Sequence, residues 1–243
     1  MTLEDQVRLK GFIRSNSGET RFAGQPYKLL LVANPKGGVG KSSLCVLLAA
    51  FSGLEKLRFA DMDPQQSTKL AFEALFGDQA VSRSSLDIDS LNMLQEAAKK
   101  AAGQDRQTIL VDTPAGLDLT KVVDVRTVSL VLVPVSSSSV ELRETFKFIS
   151  RLQEQAYPVP ILIVPNKIND NADLLRIISM FKSLPCMLAS PIPYDRTIER
   201  LLADQHFPDD LADLKEAAFP LIQSINTAVQ APYLMDSGLR QIT

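Results

Sequence analysis

The chain has 243 residues, 45% of them hydrophobic, and a formal net charge of −2. That length is enough to bury one sizeable core, and no Pro/Gly/Ser-rich linker separates two periodic blocks, so one domain is expected. The near-neutral balance excludes a whole-chain attraction for nucleic acid, so any basic contact must come from a local patch. Only Cys45 and Cys186 are present, far apart and in apolar surroundings, which excludes a disulfide framework and fits a reducing compartment. The start, MTLEDQVRLKGFIRSN, carries acids early and no apolar h-region, unlike a secretory signal. No apolar run reaches the ~18 residues of a membrane span. The expectation is a soluble cytosolic protein.

Residues 1–26 are polar and mixed and read as an extension, either a solvated arm or a contact for a partner. The domain is expected over 27–243. YKLLLVAN is a continuous apolar run, as for a strand buried on both faces. KSSLCVLLAAFSGL reads as a helix ending at Gly53, LRFADMD as a strand, and PQQSTKLAFEALFG as a helix closed by Gly77. A loop follows over 78–91, then a helix in LNMLQEAAKKAAG and strands in RQTILVDTP and SLVLVPVS. SVELRETFKFISRLQEQA is a long amphipathic helix, VPILIVPNK a strand, ADLLRIISMFKSL a helix, CMLASPIPY a last strand, DRTIERLLADQ a helix, and 211–230 a helix kinked at Pro220. Alternating strands and helices imply an α/β fold, a mostly parallel sheet with helices on both faces. Ligands in such sheets sit at the carboxyl ends of the strands, and every motif of interest lies in a loop after a strand.

The first is Asn34–Ser43, NPKGGVGKSS. Strand, glycine-rich loop and helix are the setting of a phosphate-binding loop. There the backbone of Gly37, Gly38, Val39 and Gly40 turns N–H groups onto phosphate and the helix N-terminus faces the same charge. Lys41 can reach the β- and γ-phosphates, the Ser42 hydroxyl can ligand Mg²⁺, and Ser43 can touch phosphate. The strict pattern opens with Gly where this chain has Pro35, and it has no place for a second lysine, Lys36. Asp61 and Asp63 end the second strand. Alternation points both the same way, which suits Asp63 to orient an attacking water and Asp61 to sit in a magnesium's outer shell, although Asp before Pro also starts turns. Asp112, delivered by TILV, can hold Mg²⁺ through water, with Gly116 a pivot for a switch loop.

KGGVGKSS, DMDPQQS and VDTPAG in this order resemble the deviant Walker A, SIMIBI-like P-loop ATPases of the ParA/MinD family, over roughly residues 27–208. In that family the early lysine is the signature. The resemblance implies that Lys36 crosses a dimer interface to the partner subunit's ATP, which makes ATP and Mg²⁺ the cofactors and Lys36, Lys41 and Asp63 the catalytic group. A solvated loop lysine is the alternative. The resemblance also implies that Asn166, after ILIVP, contacts adenine, as an amide that both donates and accepts can do. A turn-forming asparagine is the alternative. Pro193 and Tyr194 resemble the second base-contacting loop.

His206, the only histidine, has no companion for a zinc site, and neither cysteine lies in a CxxC. The tail APYLMDSGLRQIT lacks the basic amphipathic character that carries MinD-like proteins to membranes. The resemblance points first to a ParA-like ATPase without an N-terminal DNA-binding domain. Such a protein forms an ATP-dependent homodimer on nonspecific DNA, positions a cargo, and is stimulated by a ParB-like or adaptor protein. Arg176, Lys182, Arg196 and Arg200 are candidates for the DNA contact, each also readable as a solvated charge. The alternatives are a MinD-like membrane-cycling ATPase, a dimeric regulator of a protein machine, and a dethiobiotin-synthetase-type enzyme.

Overall fold

The computed structural model describes residues 27–51, 57–63, 67–76, 107–119, 127–154, 159–203, 212–230 and 240–241. The expected extension over 1–26, the expected helix over 91–103 and His206 lie outside them. All six expected strands form: β1 (Tyr27–Val32), β2 (Leu57–Asp61), β3 (Gln107–Asp112), β4 (Leu130–Val135), β5 (Ile161–Pro165) and β6 (Met187–Leu188). A seventh, β7 (Arg240–Gln241), pairs with β6. Two residues are too short to display a period, so the tail gave no strand signal. The helices are α1 (Lys41–Phe51), α2 (Ser67–Phe76), α3 (Ser139–Gln153), α4 (Asn171–Phe181), α5 (Arg196–Ala203) and α6 (Ala212–Gln230), the last with Pro220 inside it.

The strand order is β2-β3-β1-β4-β5-β6-β7, and every pair is parallel. Alternation sorts the side chains onto two faces. From β1, Leu29 and Leu31 join one core with Leu142, Ile149 and Leu152 of α3 and Ile177 and Phe181 of α4. Leu30 and Val32 join the other, with α1, Phe72 of α2, Ile198 of α5 and Leu221 and Ile225 of α6. Both faces being covered explains the uninterrupted apolar strands.

Register positions the site. Val32 is level with Asp112, Asp112 with Asp61, and Val32 with Leu132. The chain leaves β1 toward β2 on one side and later returns to β4 on the other, so the crevice between oppositely running connections opens at the carboxyl end of β1. The glycine-rich loop lies there. Asp61 and Asp112 have the parity of Phe59 and Leu110, so both carboxylates face the layer of α1 and α2.

Candidate functional site

The loop between β1 and α1 is shaped by its own hydrogen bonds. Lys41, at the first position of α1 and 9% exposed, turns its ammonium back to donate to the Lys36 carbonyl at 2.9 Å. Burial lowers its pKa from the ordinary lysine value, while the charges of Asp112 and Asp63 oppose that shift. Lys36 itself is half-buried, and Gly37 and Gly38 beside it are exposed. Gly40 has φ +93°, a region that disfavours any side chain, and a Cβ there would stand 2.1 Å from Asn166 Nδ2. Its glycine is required twice over.

Asp112 is the centre of charge, 1% exposed. Its Oδ2 accepts from the Ser42 hydroxyl at 2.7 Å and the Thr68 hydroxyl at 2.6 Å. Ser42 and Thr68 are each the second residue of a helix, so one oxygen gathers the starts of α1 and α2. Its Oδ1 is buried and accepts no hydrogen bond among the described residues. Desolvation raises this carboxyl to about 6, with the two hydroxyl bonds opposing. A buried carboxylate oxygen without a donor, beside a serine hydroxyl, is a hard-oxygen arrangement that fits Mg²⁺. Among the described residues no group of three His, Cys, Asp or Glu side chains could hold a metal ion. A cation here would therefore take most of its ligands from phosphate and water, as Mg²⁺ does.

Asp61 has a task that the sequence did not reveal. Its Oδ1 accepts from the Asp63 amide and its Oδ2 from the Lys69 amide, each at 2.9 Å. It thereby folds the DMD turn and holds the first turn of α2. β2 ends at Asp61, so strand alternation does not extend to Asp63. That residue is set by the turn and lies close enough for its charge to act on Lys41.

Asn166, 5% exposed, donates from Nδ2 to the Val39 carbonyl at 2.8 Å, so the residue expected at adenine grips the phosphate loop. The two loops expected at the base run side by side: Ile168 bridges Pro193, and the Tyr194 amide donates to the Ile168 carbonyl. Pro193 and Tyr194 are exposed, and Ser43 is half-buried on α1.

Thr68 at the site, and Asn34 and Thr145 behind its loop, were missed in the sequence. Thr68 has no local signature. Asn34, 2% exposed, donates from Nδ2 to the Pro134 carbonyl at 2.8 Å and to the Thr145 hydroxyl at 3.0 Å, while its Oδ1 accepts from the Lys36 amide at 2.9 Å. The Asn-Pro pair was a readable turn signal; Thr145, on α3, carried none.

The four basic candidates do not form one layer. Arg176 lies on α4 and Lys182 caps its C-terminus, while Arg196 and Arg200 lie on α5, on the opposite face of the sheet. Arg176 also pairs with Asp173 at 3.3 Å and donates to the Ser137 carbonyl.

A parallel sheet, a glycine loop at its crevice and a buried carboxylate beside a helix-borne serine define a P-loop nucleotide-binding domain. Residues 30–208 match the family model of the CobQ/CobB/MinD/ParA nucleotide binding domain, and the chain belongs to that family, the ParA/MinD ATPases among its members. No curated protein sequence matches significantly. Among solved structures, the chain is similar to the MinC:MinD cell division protein complex of Aquifex aeolicus (16% identity, covering 88% of this chain and 100% of that one, TM-score 0.60). It is also similar to a plasmid partition protein of Borrelia burgdorferi B31 bound to AMPPNP (20%, 78% and 95%, 0.52). A third is the septum site-determining protein MinD of Pyrococcus horikoshii OT3 complexed with Mg-ADP (17%, 84% and 98%, 0.55). At these identities the likeness is one of fold.

Proposed function

We propose that the protein is a ParA-like ATPase that dimerises on ATP, binds nonspecific DNA in the dimeric state, and positions a cargo while a partner protein stimulates hydrolysis. It would work in the cytoplasm, on the nucleoid when loaded with ATP. The observation that carries this reading is the pair of lysines. Lys41 directs its ammonium into its own loop, whereas Lys36 stands at the outer lip with exposed glycines beside it. A cation there suits a triphosphate held by a second copy of the chain, where it lowers charge repulsion and stabilises the charge of the transferring phosphoryl group.

In this reading the backbone of Gly37–Gly40 and Lys41 bind the phosphates, and Ser43 adds a contact. Ser42 and Asp112 hold Mg²⁺, with Asp61 behind them; the ion, when bound, neutralises the β- and γ-phosphates. Asp63 orients the attacking water. Asn166 and Pro193 form the base side of the pocket, Asn166 reaching it from its grip on Val39. The plasmid partition protein and MinD relatives of like fold support the class.

Light scattering after size exclusion, in ADP and in a nonhydrolysable ATP analogue, tests it. Wild type should dimerise only in the ATP analogue. Lys36→Ala should weaken the dimer tenfold or more, on the order of the 1.5–3 kcal/mol of a charge-assisted bond, while keeping monomeric nucleotide binding. Asp63→Ala should keep the dimer and stall phosphate release. An ATP-bound wild type that stays monomeric would sink the reading. Cosedimentation with DNA rather than liposomes separates it from membrane cycling.

A further inference from the structure

The device that sets Lys36 is buried and lies partly outside the loop. Asn34 has two N–H donors and an oxygen, and each finds a partner of the right kind. The Pro134 carbonyl only accepts and the Lys36 amide only donates, so the orientation of the Asn34 side chain is fixed. Its second N–H goes to the Thr145 hydroxyl, whose own hydrogen has the Glu141 carbonyl at 2.9 Å as its nearer acceptor and Asn34 Oδ1 at 3.3 Å as the other. Thr145 is 1% exposed and 111 residues away from Asn34 in sequence. A directed chain thus runs from α3 through Thr145 and Asn34 to the backbone of Lys36. On its other side the Lys36 carbonyl is held by Lys41. Pro35, between Asn34 and Lys36, fixes φ and carries no N–H that would need a partner. Both peptide groups of Lys36 are therefore pinned, and only its side chain keeps rotamer freedom.

We propose that Asn34 and Thr145 are positioning residues for Lys36: the buried Asn34–Thr145 hydrogen bond, which ties the loop to α3, holds the outer lysine at the lip in the direction that a second copy requires. The dimer half of this statement rests on the function proposed above. The anchoring half stands on the hydrogen bonds alone. A merely structural role for Thr145 would alter stability and leave the geometry of Lys36 untouched.

The test reads the two halves separately. In the nucleotide-free wild type, the Lys36 amide should exchange its hydrogen at least about a hundredfold more slowly than an open loop. Thr145→Val, which keeps the shape and removes the hydroxyl, should speed that exchange about tenfold, the effect of one buried neutral hydrogen bond. Thr145→Ser should restore protection, and Thr145→Ala serves as the second hydroxyl-free variant should the valine protein not fold. Dimerisation in the ATP analogue should weaken about tenfold in Thr145→Val, recover in Thr145→Ser, and accompany unchanged ADP affinity. An unprotected Lys36 amide in wild type, or equal exchange in wild type and the hydroxyl-free variants, overturns the anchoring. Faster exchange in Thr145→Val with an unaltered dimer, where Lys36→Ala does break it, overturns the link to dimerisation. Faster exchange in a protein whose wild type never dimerises supports the anchoring and removes the function it was placed in.

Discussion

Asp112 illustrates how much one side chain can organise and what that costs. Its carboxyl is buried among apolar strands, receives two hydroxyls on one oxygen and none on the other. Its pKa, raised from 3.8 to about 6, gives the sign of its effect on stability. The folded state holds this proton more tightly than the unfolded chain does, so its contribution is most favourable below about pH 4 and is lost as pH rises through 6. At pH 8, without nucleotide or metal, the buried charge opposes folding, by at most about 3 kcal/mol for a two-unit shift. Asp112→Asn should therefore raise the melting temperature of the nucleotide-free protein at pH 8 and by about half as much at pH 5. Calorimetry at both values checks this, and a variant less stable at pH 8 would contradict the burial argument. Lys41, Ser42 and Asp112 were legible in the sequence because loop, helix and strand carry local signals. Thr68 and Thr145 were not, because their bonds to Asp112 and Asn34 span 44 and 111 residues. The turn-holding task of Asp61 was hidden for a different reason: sequence shows a carboxylate at a strand end, and only coordinates show that both its oxygens serve backbone amides.

Between elements, the contact that matters most is that of β5 with the phosphate loop. Asn166 stands at the end of β5, donates to Val39, and leaves no room for a side chain at position 40. Gly40→Ala should lose nucleotide binding and destabilise the protein by about 1–3 kcal/mol through its positive φ and the clash together. Asn166→Ala removes the clash and leaves the φ strain, so the double variant should recover part of the loss. Denaturant melts of the two single variants and the double variant measure that coupling; strictly additive losses would mean that the close approach carries no energy. The position of Asn166 after a strand was readable, and its engagement with a loop 127 residues earlier was not.

Across the whole molecule, the alternation of strand and helix sufficed for the parallel sheet and its two covered faces, since apolar runs without polar alternation have few other homes. What the pattern could not supply was which helix goes to which face, and that decides the reading of the basic residues. Within one protomer, a DNA backbone lying on one face meets the α4 pair or the α5 pair. Arg196 and Arg200 are exposed and one helical turn apart, whereas Arg176 is already engaged with Asp173 and Ser137. On the function proposed above, replacing Arg196 and Arg200 by Ala should lower DNA affinity in the ATP state and reduce the slope of log affinity against log salt by about 2. Replacing Arg176 and Lys182 should leave both unchanged. Filter binding over a salt series reads the difference, and an equal loss from both pairs would require a DNA path around the sheet edge.

Parity along β3 has a consequence for how the family's chains can vary in length. Leu110 and Asp112 face the α1 layer, and Val111 faces α3 and α4. Deleting a single residue inside this strand would turn the acid through half a revolution into an aliphatic wall, stranding the Ser42 and Thr68 hydroxyls, whereas deleting two would shorten the strand with the acid still aimed at them. Insertions and losses inside this strand are thereby favoured in even steps.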